Sequence, residues 1–118
     1  MTEHTLTLPW PPKPIHSNWS AHWRAKYRAT KSYRGDAWAE AKIANIPRWP
    51  NAILTFTYHP PDKRRRDCQN IPHALKAAID GISDAMGCDD IGFRVWYPEA
   101  FGDVVKGGAI VVVIKESE

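Results

Sequence analysis

Asn-Ile-Pro-His-Ala-Leu-Lys-Ala-Ala-Ile-Asp-Gly-Ile-Ser-Asp-Ala-Met-Gly, from Asn70 to Gly87, is the stretch that decides the fold. Ile71, Leu75, Ile79, Ile82 and Met86 recur at spacings of four, four, three and four, which lines them up along one side of an α-helix. Asn70 takes the N-cap position, Pro72 falls in the first turn, and Gly87 suits the left-handed residue that ends a helix. Lys76 and Asp80 stand four apart and so are neighbours on a face beside the apolar stripe.

On either side of this helix the period changes from helical to alternating. Residues 51–59 are rich in β-branched and aromatic side chains, with Leu54, Phe56 and Tyr58 alternating, and Pro60-Pro61 closes the run; this is a strand. Phe93 to Tyr97 and Ala109 to Lys115 read as two more, joined by a loop holding Gly102 and Gly107-Gly108. Near the N-terminus Thr5 to Leu8 alternates, then meets Pro9-Trp10-Pro11-Pro12-Lys13-Pro14, which cannot continue a ladder. A second helix is predicted from Thr30, with Tyr33, Ala37, Ala41 and Ala44 on one side, Trp38 packed into the core near Ala41, and Pro47 ending it. Ser17 to Ala29 shows no period and reads as a loop or a partly ordered basic arm. The order strand, helix, strand, helix, strand, strand predicts an α+β domain, a small mixed or antiparallel sheet of about four strands packed with two main helices.

The composition excludes several classes. At 118 residues and 43% apolar content, residues 1–118 are expected to form a single domain. No apolar run approaches the roughly 20 residues that span a bilayer, and no secretory signal is visible, so no membrane partner is expected. Cys68 and Cys88 make no zinc or disulfide framework and suit small core or turn positions, which points to a cytoplasmic, reducing location.

Charge is more telling than its net value of +3. No acid occurs from His4 to Gly35, where Lys13, Arg24, Lys26 and Arg28 alternate with Trp10, Trp19, Trp23 and Tyr27. Basic tracts interleaved with aromatics are the footprint of a phosphate-backbone ligand, although a merely solvated surface has the same look. A second block, Lys63-Arg64-Arg65-Arg66, runs straight into Asp67, and four adjacent like charges repel unless an anion or acids offset them. Trp10 and Trp19 could stack on unpaired bases, but packing of the proline-rich segment is the commoner use of such residues. His73, in the first turn of the helix, suits a phosphate contact. His16, His22 and His59 show no ligand spacing.

Carboxylates beside such cations suit Mg²⁺, or Mn²⁺, which binds through one or two acids plus substrate phosphate oxygens. Asp67 precedes the main helix and Asp89-Asp90 follows it. A helix of about 16 residues is about 24 Å long, so these acids meet only if the chain returns along the helix or a second subunit completes the site. Arg64, Arg65 and Arg66 would hold a phosphodiester chain, and Lys76 would stabilise the charge of the transition state. The same acids also suit local duties, Asp67 capping the helix and Asp89-Asp90 making a turn.

Taken in order, Leu8-Pro9-Trp10-Pro11-Pro12, Arg64-Arg65-Arg66-Asp67-Cys68-Gln69-Asn70, Lys76-Ala77-Ala78-Ile79-Asp80-Gly81-Ile82, Asp89-Asp90 and Lys106-Gly107-Gly108 resemble the RusA family of crossover-junction endodeoxyribonucleases. These Holliday-junction resolvases, often carried by phages and prophages, act in DNA recombination and repair. The resemblance implies a tight homodimer that makes paired nicks in four-way junction DNA with Mg²⁺. It implies Asp67, Lys76 and Asp90 as catalytic residues, with Asp89 and Asp80 as further metal candidates. Lys63, Arg64, Arg65, Arg66, Asn70, His73, Lys13, Arg24, Lys26 and Arg28 would then contact DNA. One departure stands out, since the second acid of the family's Asp-x-Asp-Asn motif is Gln69 here. An amide oxygen can ligate a metal but carries no charge, so Asp80 or Asp89 is expected to compensate. A second is the extra length of Ile71-Pro72-His73 before Lys76. The alternatives are a junction-binding protein with little nuclease activity and a general nuclease of branched DNA.

Overall fold

The computed structural model describes residues 3–15 and 22–117. His16, Trp19 and the N-terminal part of the expected basic arm lie outside the described residues. The elements are β1 (Glu3–Pro9), α1 (Trp23–Ala44), β2 (Ile53–His59), α2 (Ile71–Met86), β3 (Arg94–Trp96) and β4 (Ala109–Lys115), with 3₁₀ turns at Lys13–Ile15, Cys68–Asn70 and Asp90–Gly92.

The sheet is mixed, in the order β1-β4-β2-β3. β4 runs antiparallel to both β1 and β2, while β2 and β3 are parallel and joined through α2. The most apolar run of the chain therefore lies inside the sheet, flanked by a partner on each side. Leu6, Leu8, Leu54, Phe56, Tyr58, Ile110, Val112 and Ile114 are buried together with the inner faces of α1 and α2, while Thr5, Thr7, Thr55 and Thr57, at the alternate positions, are exposed. Strand alternation makes this separation, because successive side chains leave opposite faces. No helix among the described residues is long and apolar enough to cross a membrane.

Two expectations about α1 are corrected. The helix starts at Trp23, well before Thr30, with the His22 ring nitrogen accepting a hydrogen bond from the Arg24 amide at its start. Its first two turns leave Trp23 and Tyr27 largely exposed, so no apolar stripe marks them in the sequence. Trp38 is not in the core. The buried line is Tyr33, Ala37 and Ala41, and Trp38, one residue past that line, is exposed beneath the Lys42 ammonium. The Tyr33 hydroxyl donates to the Pro9 carbonyl at 2.8 Å, tying α1 to the end of β1; burial pushes its ionisation well above the ordinary tyrosine range.

The helices touch backbone to side chain at Gly81. A β-carbon there would lie 2.2 Å from the Arg34 carbonyl oxygen. Across the same contact Arg34 makes a two-pronged ion pair with Asp84, at 2.7 and 3.0 Å. The α1–α2 contact and the sheet together fix where the ends of α2 stand, and both candidate acidic segments adjoin those ends.

Candidate functional site

The arginine block is organised by an acid that sequence reasoning overlooked. After Pro60-Pro61 closes β2, the Asp62 carboxylate accepts from the Arg64 amide at 2.9 Å and pairs with Arg66 at 2.8 Å. Arg66 also donates to the carbonyls of Asp62 and Arg64, both at 3.1 Å, and its guanidinium lies 5.7 Å from the centre of the Trp10 ring. The Arg66 bond and the Arg64 amide together hold the Asp62 carboxyl below the usual carboxylate range. The offset that four adjacent cations require is thus supplied within the loop. The i,i+4 spacing of Asp62 and Arg66 was the available signal.

The block therefore divides. Arg66 is a brace, 18% exposed, whereas Arg64 is 72% exposed and Arg65 also faces solvent. Together with Trp10, Lys13, Asp67 and Asn70 they line a groove of about 850 Å³. Gly108 seats the Trp10 wall, since its φ is +77° and a β-carbon would come within 2.8 Å of Trp10 Cβ. We expect Arg65→Ala to weaken polyanion binding with an unchanged melting temperature. Arg66→Ala should lower the melting temperature measurably, because it removes a partly buried, multiply bonded cation. Thermal denaturation and fluorescence anisotropy on the two variants check this; identical behaviour would show that the block does not divide.

The acids sort themselves by what their oxygens hold. Asp67 accepts from the Gln69 amide at 2.9 Å and so caps the Cys68–Asn70 turn, through which the chain enters α2. Asn70 is at the expected N-cap position, but its side chain makes no capping bond. Asp89 likewise accepts from the Ile91 amide at 3.0 Å and caps the turn at Asp90–Gly92. Gly87, left-handed with φ +75°, ends α2 and reverses the chain. The reversal carries Asp90 back along the helix to Lys76.

There the site closes. The Lys76 ammonium lies 2.6 Å from Asp90 Oδ2 and 2.9 Å from Asp80 Oδ1. These bonds, that to Asp90 first, raise the Lys76 pKa, and the Lys76 bond in turn holds Asp90 below the ordinary carboxylate range against the opposing effect of burial. Lys76 is 61% exposed and each carboxylate 28%, so an incoming ligand can reach them. An ammonium has three donors, and two are committed here. Tyr97, just past β3, belongs to the same neighbourhood: its phenol is pushed up by burial and drawn back by Lys76, and its ring stacks on Phe56 at 5.7 Å. The buried Tyr58 hydroxyl has no hydrogen-bond partner among the described residues.

Lys76, Asp80 and Asp90 are thus brought together, whereas Asp67 opens onto the arginine groove and Gln69 is exposed. Among the described residues, no three His, Cys, Asp or Glu side chains gather closely enough to hold a metal ion. The Asp80–Asp90 pair nevertheless fits a hard divalent ion in kind, since Mg²⁺ binds through one or two carboxylates with water and phosphate oxygens. In this conformation the pair holds the Lys76 ammonium. Lys26 and His73 line a separate hollow with Lys76 and Asp80. Arg24 and Arg28 stand exposed on the first turns of α1, Arg24 beside the Trp23 ring at 5.3 Å, and Lys63 is exposed. Cys68 and Cys88 are half-buried against the core, and burial raises both thiols.

No family model matches the chain. Over 115 residues it is 34% identical to an uncharacterized protein of Xylella fastidiosa, covering 93% of this chain and 74% of that one. Over 126 aligned positions it is 32% identical to the crossover junction endodeoxyribonuclease RusA of Escherichia coli K12, covering 98% of this chain and 97% of the other. The protein of that name from Shigella sonnei is 30% identical over 121 positions, with the same coverage.

Proposed function

Because the chain belongs to the RusA family of crossover junction endodeoxyribonucleases, we propose that it resolves four-way DNA junctions by paired, symmetric nicks. The observation that carries this reading is the Lys76 ammonium shared by Asp80 and Asp90, on the helix whose first residue, Ile71, lines the groove walled by Arg64 and Arg65. Cations that hold a phosphodiester chain next to acids of this kind are what phosphoryl displacement requires.

In this reading Arg64 and Arg65, with Lys63 and Lys13, position the backbone, and the third hydrogen of the Lys76 ammonium meets a non-bridging oxygen of the scissile phosphate. Asp80 and Asp90 hold Lys76 in place until the strand arrives. A divalent ion, Mg²⁺ or Mn²⁺, would be held by Asp90 and Asp80, with Asp67, Asp89 and Gln69 as further oxygen donors; when bound it supplies Lewis-acid stabilisation of the phosphate and an activated water. A homodimer would present two such sites to two strands, matching a two-fold protein to a two-fold junction. Phosphate contacts position a protein without reading bases, so junction selectivity would come from the spacing of the two sites.

The test is cleavage of a mobile four-way junction, compared with linear duplex and a flap at fixed salt, with and without Mg²⁺. We expect Mg²⁺-dependent paired nicks in the junction and little cutting of the duplex. Equal cutting of junction and flap would support a general nuclease of branched DNA. Affinity should fall with salt at a slope of about −0.9 per phosphate neutralised, and a flat response would remove the basic residues from the binding surface.

A second reading, junction binding with weak cleavage, draws on Gln69, where the amide stands in for an acid, and on the local capping bonds of Asp67 and Asp89. Robust nicking in either Mg²⁺ or Mn²⁺ would end it.

A further inference from the structure

We propose that the hollow between the first turns of α1 and the middle of α2 is a phosphate seat, taking one backbone phosphate of the DNA strand next to the phosphate at Lys76. The proposal rests on the DNA-cleavage reading and adds to it a defined strand path.

The hollow, about 240 Å³, is lined by Lys26 and Thr30 from α1, by His73, Lys76 and Asp80 from α2, and by Ile15. Lys26 and Thr30 are four apart on one helix, and His73, Lys76 and Asp80 follow at three and four on the other, so each set shares a helix face. Ala74 and Ala77 form the floor, and their small side chains leave the space open. The polar groups on this lining are donors apart from Asp80, and Asp80 already holds the Lys76 ammonium at 2.9 Å. The side chains of Lys26 and His73 make no hydrogen bond or ion pair with the described residues. The Lys76 charge on this lining is offset by Asp80 and Asp90, whereas Lys26 has no carboxylate partner among the described residues, so an anion seated against it supplies the missing counter-charge. A phosphodiester group, whose two non-bridging oxygens share one negative charge, matches the Lys26 ammonium, with the His73 ring and the Thr30 hydroxyl as further donors.

The position relative to the large groove gives the path. Lys13 lines the groove and Ile15 lines the hollow, so the 3₁₀ turn Lys13–Ile15 separates them. A strand held by Arg64 and Arg65 crosses that turn, passes Lys76, and sets its neighbouring phosphate against Lys26. This also accounts for the exposed start of α1, whose basic residues pack against little of the chain's own core.

The experiment combines Lys26→Gln and a Lys26→Gln/His73→Ala double variant with four-way junctions carrying one neutral methylphosphonate at successive positions around the cut. Lys26 and His73 are exposed, and melting temperatures verify that the variants fold. For the unaltered protein, one methylphosphonate position away from the scissile phosphate should weaken binding by about fivefold to tenfold. At that position Lys26→Gln should lose no more, and with unmodified DNA its salt slope should be shallower by about 0.9. Losses from variant and methylphosphonate that multiply at every position would overturn the seat while leaving junction cleavage standing. Failure of the unaltered protein to bind or cut any junction would overturn the cleavage reading and the seat with it.

Discussion

Lys76→Ala is expected to slow junction cleavage by about two to three orders of magnitude, the usual cost of removing a donor aimed at developing charge, while changing junction affinity only a few-fold. The reason is geometric. Asp80 and Asp90 reach the same ammonium, at 2.9 and 2.6 Å, so one side chain orders both acids and retains a free donor for a phosphate oxygen. Removing it leaves two neighbouring carboxylates to repel each other and the strand. Lys76→Arg should restore little, because a planar guanidinium cannot place single donors on two separate carboxylates and a phosphate as a compact ammonium does. Asp90→Asn keeps the shape but removes a charge, and should likewise abolish cutting with binding retained. Asp84→Asn is the control. Asp84 pairs with Arg34 across the helices, so its loss should affect melting and not the cleavage rate of the folded protein. Gel-shift and single-turnover assays on the same junction separate the two effects. Wild-type rates from Lys76→Ala or Asp90→Asn would remove this cluster from the chemistry.

The second large effect concerns the fold, and it takes one substitution with opposite signs at two places. Gly81→Ala should destabilise by about 1–3 kcal/mol, the range for overpacking a close contact. Alanine is the better helix former by about 1 kcal/mol, but a β-carbon 2.2 Å from the Arg34 carbonyl oxygen and 3.1 Å from Ala37 Cβ forces α1 and α2 apart. Gly35→Ala meets nothing within 4 Å, so there the helix preference acts alone and should stabilise by about 0.5–1 kcal/mol. Urea or thermal unfolding measures both. Equal shifts for the two variants would mean that the helices do not meet at Gly81.

Some elements are fully legible in the sequence alone. The repeat Ile71, Leu75, Ile79, Ile82, Met86 marked α2, which runs Ile71–Met86 and ends at Gly87 as its sequence implies. The run Ala109–Lys115 is β4 to the residue, and β2 and β3 start and finish within two residues of their sequence bounds. The start of α1 was not legible, because a helix that packs against little has no apolar period to reveal it. Trp38 misled for a related reason: a large aromatic residue beside a buried line looks like core until the crossing of the helices decides which residues face inward.

Within the site, the Lys76–Asp80 pair follows from helical spacing alone, and the arginine run marks a strongly cationic segment by its composition. The contact of Lys76 with Asp90 does not follow, because it depends on a left-handed residue at Gly87 turning the chain back by the right amount. Nor does the division of labour among the arginines, since Arg66 becomes a brace only where Asp62 and Trp10 reach it together. Pattern and propensity act over a few residues, so sequence alone determined most of the elements and the residue types from which a site could be built. Which acids share the ammonium, which arginine faces solvent and which basic residues enclose a hollow were decided by contacts between distant segments, and those exist only once helix packing and chain reversal have fixed every segment in place.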